Sequence, residues 1–107
     1  DDMIVLRGVN IFPIQIEKIL MTFPELASNY LITLSTDNDN DNMTVEVELA
    51  EMFTDDYARL HSLTKNLTRA LKDEILLTPI VKLVPKGSLP VSEGKAVRVV
   101  DKRKVYQ

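Results

Sequence analysis

Met43-Thr44-Val45-Glu46-Val47-Glu48-Leu49-Ala50 decides the fold. Met43, Val45, Val47 and Leu49 alternate with Thr44, Glu46, Glu48 and Ala50, and a period of two belongs to a strand with one buried and one wet face. Such a strand lies in a sheet that is covered from one side. Upstream, Tyr30 to Leu34 is a second strand candidate, and Asp37-Asn38-Asp39-Asn40-Asp41-Asn42 lies between the two. Asp and Asn tolerate turn geometry, so the two strands form a hairpin across a polar turn. The run is not a calcium loop. Counted from Asp37, the sixth position should be glycine and is Asn42, and the twelfth, Glu48, belongs to the strand.

Helices flank this hairpin. Pro13 suits a first helical position, and Ile16, Ile19, Leu20 and Phe23 recur on one face, with Gln15, Glu17 and Lys18 mostly opposite. Pro24 stops that helix. Downstream, Thr54 can cap a second helix whose N-terminal dipole Asp55 and Asp56 complement. Tyr57, Leu60, Leu63, Leu67, Ala70, Leu71 and Ile75 give it a continuous apolar stripe, and it should run to about Glu74. His61, the only histidine, has no second ligand or nucleophile beside it and reads as surface.

The two ends complete the order. Met3 to Leu6 is a short strand, Arg7-Gly8-Val9-Asn10 turns the chain, and Ile11-Phe12 resumes it. Gly8 can take a positive φ there without a Cβ penalty. Ile80 to Val84 is a strand ended by Pro85 and Gly87, and a loop leads through Pro90 and Gly94 to a last strand, Ala96 to Val100. Lys102-Arg103-Lys104 is a charged surface tail. The expected class is α+β: two helices packed on a small, mainly antiparallel sheet, with an N-terminal hairpin.

At 107 residues the chain makes one domain, able to hold a core without staples. The absence of cysteine excludes disulfides and thiolate metal sites and suits a reducing compartment. No apolar run approaches the length of a membrane span. The net charge of −3 hides an asymmetry: residues 1–56 sum to −10 and residues 57–107 to +7. Either the halves neutralise each other in the fold or the basic half meets something anionic. Five bases, Lys95, Arg98, Lys102, Arg103 and Lys104, crowd the last 13 residues. Lys95 follows Gly94 where a loop enters a strand, a firm base from which a side chain can reach outward. This is not a phosphate-binding loop, since six residues separate Gly87 from Gly94 and Ala96 stands where a hydroxyl is needed.

Two segments carry a resemblance. Asp1-Asp2-Met3-Ile4-Val5-Leu6-Arg7-Gly8-Val9-Asn10-Ile11-Phe12-Pro13, with Gln15-Ile16-Glu17, resembles the start of the C-terminal domain of phenylacetate–coenzyme A ligases, of the acyl-adenylate-forming superfamily. Ser88-Leu89-Pro90 with Ser92-Glu93-Gly94-Lys95-Ala96-Val97-Arg98-Val99 resembles the closing lysine motif of that domain. The resemblance implies that residues 1–107 are one lid domain of a larger cytoplasmic ligase. Its partners would be an N-terminal domain that binds ATP, magnesium and an aryl carboxylic acid, and then coenzyme A. It implies Lys95 as the catalytic residue for adenylate formation. It implies Asp1 as the hinge, and the Arg7-Gly8 turn as the face presented for thioester formation. Gly94 and Arg98 join Arg7 and Gly8 as candidate cofactor-binding residues, and Arg98 with Lys102–Lys104 could attract coenzyme A phosphates. No metal ligands are expected in this domain. Relatives often have serine before Gln15, which can cap the helix, where this chain has Ile14; wider superfamily members carry lysine near position 5, where it has Val5.

Two other readings compete. One is a free-standing regulatory or dimerisation module of ferredoxin-like topology that binds a small effector. The other is a nucleic-acid binder using the basic half, which lacks interleaved aromatic residues for stacking. Neither membrane nor nucleic acid is an expected partner.

Overall fold

The computed structural model describes residues 2–51, 56–90 and 98–103. The elements run β1 (Ile4–Leu6), β2 (Val9–Ile11), α1 (Pro13–Leu20), β3 (Leu26–Asp37), β4 (Asn40–Leu49), α2 (Tyr57–Ile75), β5 (Ile80–Val84) and β6 (Val99–Asp101). β1 and β2 form a separate antiparallel hairpin, and the other strands form one sheet in the order β5-β4-β3-β6.

The alternating strand is as expected and longer. Met43, Val45 and Val47 pair across the hairpin with Leu34, Ile32 and Tyr30, and all six side chains are buried. The turn needs only Asn38 and Asp39, both at positive φ (49° and 65°), the pattern of a two-residue hairpin turn that matches strand twist. The rest of the polar run extends the strands.

Both helices pack into this core. On α2, Leu63, Leu67, Leu71 and Ile75 are buried one turn apart, each such burial stabilising by about 1.5–3 kcal/mol. The cap is Asp56, whose side chain accepts from the Arg59 amide at 3.0 Å; Thr54 lies outside the described residues. On α1, Ile16 and Leu20 are buried while Ile19 and Phe23 pack partly buried against them. Ile14 is not at the cap position. Phe12 is, its amide donating to Gln15 Oε1 at 2.8 Å, and Ile14 is exposed. After Leu20 the amides of Thr22 and Phe23 reach back only three residues, which tightens the chain before Pro24. Glu74 ties the helices together, accepting from Lys18 and from Gln15, each at 3.2 Å. The Lys18 ammonium and the Gln15 amide hold its carboxyl below the usual range.

The α+β class, the two helices and the N-terminal hairpin are as read. The four-stranded sheet, however, is mixed: β5 runs parallel to β4 and β6 parallel to β3, where the sequence reading has a mainly antiparallel sheet. The reason is α2, which returns the chain to the start of the sheet after β4, so β5 can only lie alongside in the same direction. This is not the all-antiparallel sheet of a ferredoxin-like module. No helix among the described residues is long and apolar enough to cross a membrane.

Candidate functional site

The turn between β1 and β2 consists of Arg7 and Gly8, both left-handed at φ 48° and 76°. A Cβ on Gly8 would meet nothing within 4 Å. Glycine is therefore demanded by the backbone and not by crowding, and the tip is open to an approaching chain. Arginine is costly at such a φ. What holds it is its own side chain, which donates from Nε to the Asp41 carbonyl and from Nη2 to Asn42 Oδ1, both at 2.8 Å. The first hairpin is thereby stapled to the second.

A second glycine turn follows β5. Ser88 N donates to the Pro85 carbonyl at 3.1 Å, and Gly87 sits between them at φ 83°, as a type II turn requires of its third residue. The Gly87 amide donates to Glu48 Oε1 and the Leu89 amide to Glu48 Oε2, each at 2.9 Å. Asn29 Nδ2 donates to Oε2 at 2.9 Å from the segment of β3 where the register with β4 slips. Glu48 is thus 4% exposed, with Leu89 buried beside it. This corrects the reading of Glu48 as part of a wet face. Burial alone would raise its pKa, but the Gly87 and Leu89 amides, Asn29 and the Lys86 charge outweigh that and hold it below the ordinary value.

Arg98 lies at the opposite end of the span that leads through Lys95. Its backbone carbonyl accepts from Ile32 N at 2.8 Å, leading into β6. Its guanidinium stands 4.5 Å over the Tyr30 ring, donates to the Ser28 carbonyl at 3.1 Å and pairs with Glu17 at 3.7 Å. Tyr30 also donates its hydroxyl to Glu17 at 3.4 Å. Burial and the Glu17 charge push the Tyr30 phenol up, against the opposing pull of Arg98. Arg98, Tyr30 and Glu17 line a cleft of about 590 Å³ that Asp2 and Arg103 also border. Arg98 is committed internally more than a free phosphate collector would be.

The basic tail divides in the same way. Arg103 is no solvated tail residue. It grips Asp101 with two side-chain bonds of 2.7 and 3.0 Å and donates to the Val5 carbonyl at 2.6 Å, tying β6 to β1. That grip lowers the Asp101 pKa and raises that of Arg103. Lys102 is exposed. Asp1, Gly94, Lys95 and Lys104 lie outside the described residues. Among the described residues, no three acidic or histidine side chains gather to hold a metal ion.

Residues 8–103 match the AMP-binding enzyme C-terminal domain family. The chain is 36% identical to the phenylacetate-coenzyme A ligase of Thermus thermophilus over 97% of its own length and 26% of that protein. The chain thus spans about a quarter of the curated relatives it matches. Among solved structures, a domain of phenylacetate-coenzyme A ligase from Bacteroides vulgatus superposes with a TM-score of 0.92 at 68% identity, covering 99% of this chain and 97% of that one. A 2-hydroxyisobutyryl-CoA ligase in complex with 2-HIB-AMP and CoA, in the thioesterification state, superposes with a TM-score of 0.87 at 26% identity, covering 97% of this chain and 22% of that one. Matched over nearly its whole length in sequence and in fold, the chain belongs to the AMP-binding enzyme C-terminal domain family.

Proposed function

We propose that residues 1–107 form the mobile C-terminal domain of a cytoplasmic aryl-acid–coenzyme A ligase of the phenylacetate type. The observation that carries this reading is the similarity to a phenylacetate-coenzyme A ligase domain at 68% identity across 99% of the chain. Its partner is the N-terminal domain of the same enzyme, which binds ATP, magnesium and the aryl carboxylic acid. In the first half-reaction a carboxylate oxygen attacks the α-phosphorus of ATP, the bond to pyrophosphate breaks, and acyl-AMP forms. In the second, the coenzyme A thiol loses its proton, its sulfur attacks the acyl carbon, and AMP leaves.

This domain serves each step with a different face. Negative charge grows on the carboxylate and α-phosphate oxygens during adenylation, and the Lys95 ammonium, delivered after Gly94, stabilises it in a water-poor cleft. The domain then rotates about Asp1 and brings up the Arg7-Gly8 turn. Its open tip suits the passage of a thin pantetheine arm, since no side chain of Gly8 stands in the way. Arg98 is engaged with Tyr30, Glu17 and Ser28, so exposed Lys102 is better placed to attract coenzyme A phosphates.

The test is Lys95→Ala in the full-length ligase, with the half-reactions measured separately. Pyrophosphate release from ATP and phenylacetate should fall by roughly two to three powers of ten, typical for one such electrostatic group. Transfer from preformed phenylacetyl-AMP to coenzyme A should stay near wild type. Equal losses in the two steps would overturn the assignment.

A further inference from the structure

β1 and β2 form a sheet of their own, so the turn they carry owes its place to whatever joins that ribbon to the rest. The buried side chains of Ile4, Leu6 and Ile11 fix its depth in the core, but apolar contact is non-directional and leaves its tilt open. Tilt is set by hydrogen bonds. At the tip, Arg7 reaches across to the next hairpin, where Asp41 and Asn42 accept. At the base, Arg103 reaches from beyond the end of β6 to the Val5 carbonyl, two residues before Arg7.

The Arg103 side chain is aimed. Its backbone amide and Nε donate to Asp101 Oδ1, each at 3.0 Å, and Nη2 donates to Oδ2 at 2.7 Å. Two side-chain bonds to one carboxylate fix the plane of the guanidinium and leave Nη1 directed at Val5. Asp101 is itself the last residue of β6, paired with Leu34 of β3, whose carbonyl accepts from the Lys102 amide at 2.7 Å. An unbroken line of hydrogen-bonded groups thus runs from the four-stranded sheet through Asp101 and Arg103 to the backbone beneath the Arg7-Gly8 turn. We propose that Arg103 is a positioning residue for thioester formation: it fixes the angle at which the β1–β2 ribbon leaves the sheet, and so where the Arg7-Gly8 turn meets the pantetheine arm. This inference rests on the thioester role assigned to that turn above. Its physical basis is the steep dependence of catalysis on placement, where a misplacement of about 1 Å can cost on the order of a hundredfold.

The experiment uses the full-length ligase with Arg103→Gln, Gly8→Asn and the double variant. Adenylation is measured as pyrophosphate release from ATP and phenylacetate, and thioester formation as transfer from preformed phenylacetyl-AMP to coenzyme A. Arg103→Gln should lower kcat for transfer by about tenfold and leave adenylation within about twofold. The loss should be the same with pantetheine as the thiol, which carries no nucleotide phosphates. A loss confined to coenzyme A would make Arg103 a phosphate contact and overturn the proposal. Asparagine tolerates a positive φ, so Gly8→Asn keeps the turn and puts a side chain at its tip. In that background Arg103→Gln should cost almost nothing more. Full additivity, or equal losses in both half-reactions, would reduce Arg103 to a structural residue and overturn the proposal. Should Arg103→Gln fail to fold, Asp101→Asn loosens the grip at nearly unchanged shape and should show the same selective loss at about threefold; an unselective loss there, or none, overturns the proposal as well. Unimpaired transfer by Gly8→Asn would overturn the thioester role of the turn itself, an outcome distinguishable from additivity.

Discussion

The Arg7-Gly8 turn and the Pro85–Leu89 turn both rely on a left-handed glycine, and they are held in opposite ways. Gly8 sits at an open tip, and its neighbour Arg7 is held by two exposed bonds to the next hairpin. Gly87 points its amide at a buried carboxylate 39 residues away, and Leu89 does the same two residues on. Crowding demands neither glycine, since a Cβ on either meets nothing within 4 Å, and only the first turn adds a non-glycine residue, Arg7, at positive φ. What differs is the mount. A turn held by exposed side-chain bonds can yield to an incoming chain, as the thioester role proposed for Arg7-Gly8 requires. A turn held by a buried charge keeps its direction.

The contrast breaks most visibly at Glu48. Glu48→Ala strips the acceptor from two amides and Asn29 in a buried place, and unfolding in urea should show a loss of about 3 kcal/mol. A loss as small as that of Arg7→Ala would remove the distinction between the two mounts. Glu48→Gln keeps one acceptor oxygen and loses the charge, so about 1.5 kcal/mol should go.

The pH dependence sharpens the same point. The Glu48 pKa is lowered in the folded protein, so its contribution is full above the unfolded value of 4.5 and is lost as pH falls through the folded value. Asp101 and Glu74 are lowered too, and their effects appear in both proteins and cancel in the difference. The stability gap between wild type and Glu48→Gln should be constant from neutral pH down to about 5 and close below 4.5, on the order of the charge-assisted part of those bonds. A gap that persists undiminished to pH 3 would mean that the charge contributes nothing.

The two turns also differ in what the sequence could show. Gly8 was legible, because a glycine between two short β-branched runs announces a turn by itself. So were the alternation of β4 and the leucine stripe of α2, which follow from local periodicity, and the bounds of β5, which follow from the Pro85 and Gly87 that end it. Glu48 was not. Its place in the alternation assigns it to the outer face, and only the parallel register of β5, with Glu48 opposite Val84, brings the Pro85–Leu89 turn over it. That register follows from the crossover through α2, which periodicity alone does not reveal. The engagement of Arg98 and Arg103 was hidden for the same reason, since their partners Tyr30, Glu17 and Val5 lie about 70 or more residues away in sequence. The two ends of the domain that carry the family resemblance were readable as motifs, but the supports beneath them were not.

A smaller effect compares the glycines themselves. Gly8→Ala and Gly87→Ala should each cost about 1 kcal/mol from the left-handed backbone alone. Any excess at Gly87 measures how far the substitution drags its amide from Glu48. That excess should vanish in the Glu48→Gln background if the carboxylate is its source.

The smallest expected effect tests the open turn directly, at Arg7. Arg7→Ala removes two exposed hydrogen bonds but keeps a non-glycine residue at φ 48°, so roughly 0.5 kcal/mol should be lost. Arg7→Gly removes the same bonds and relieves the left-handed strain of about 1 kcal/mol, so its stability should match or slightly exceed that of wild type. The ordering, glycine at or above arginine and alanine below both, follows only if the arginine side chain compensates for a strained backbone. If glycine proves clearly less stable than arginine, the Asp41 and Asn42 bonds contribute more than exposed bonds should, and the tip is clamped like its counterpart after β5. In that case a freely yielding turn for the pantetheine arm would have to be abandoned, because both faces of the domain would then be rigidly mounted.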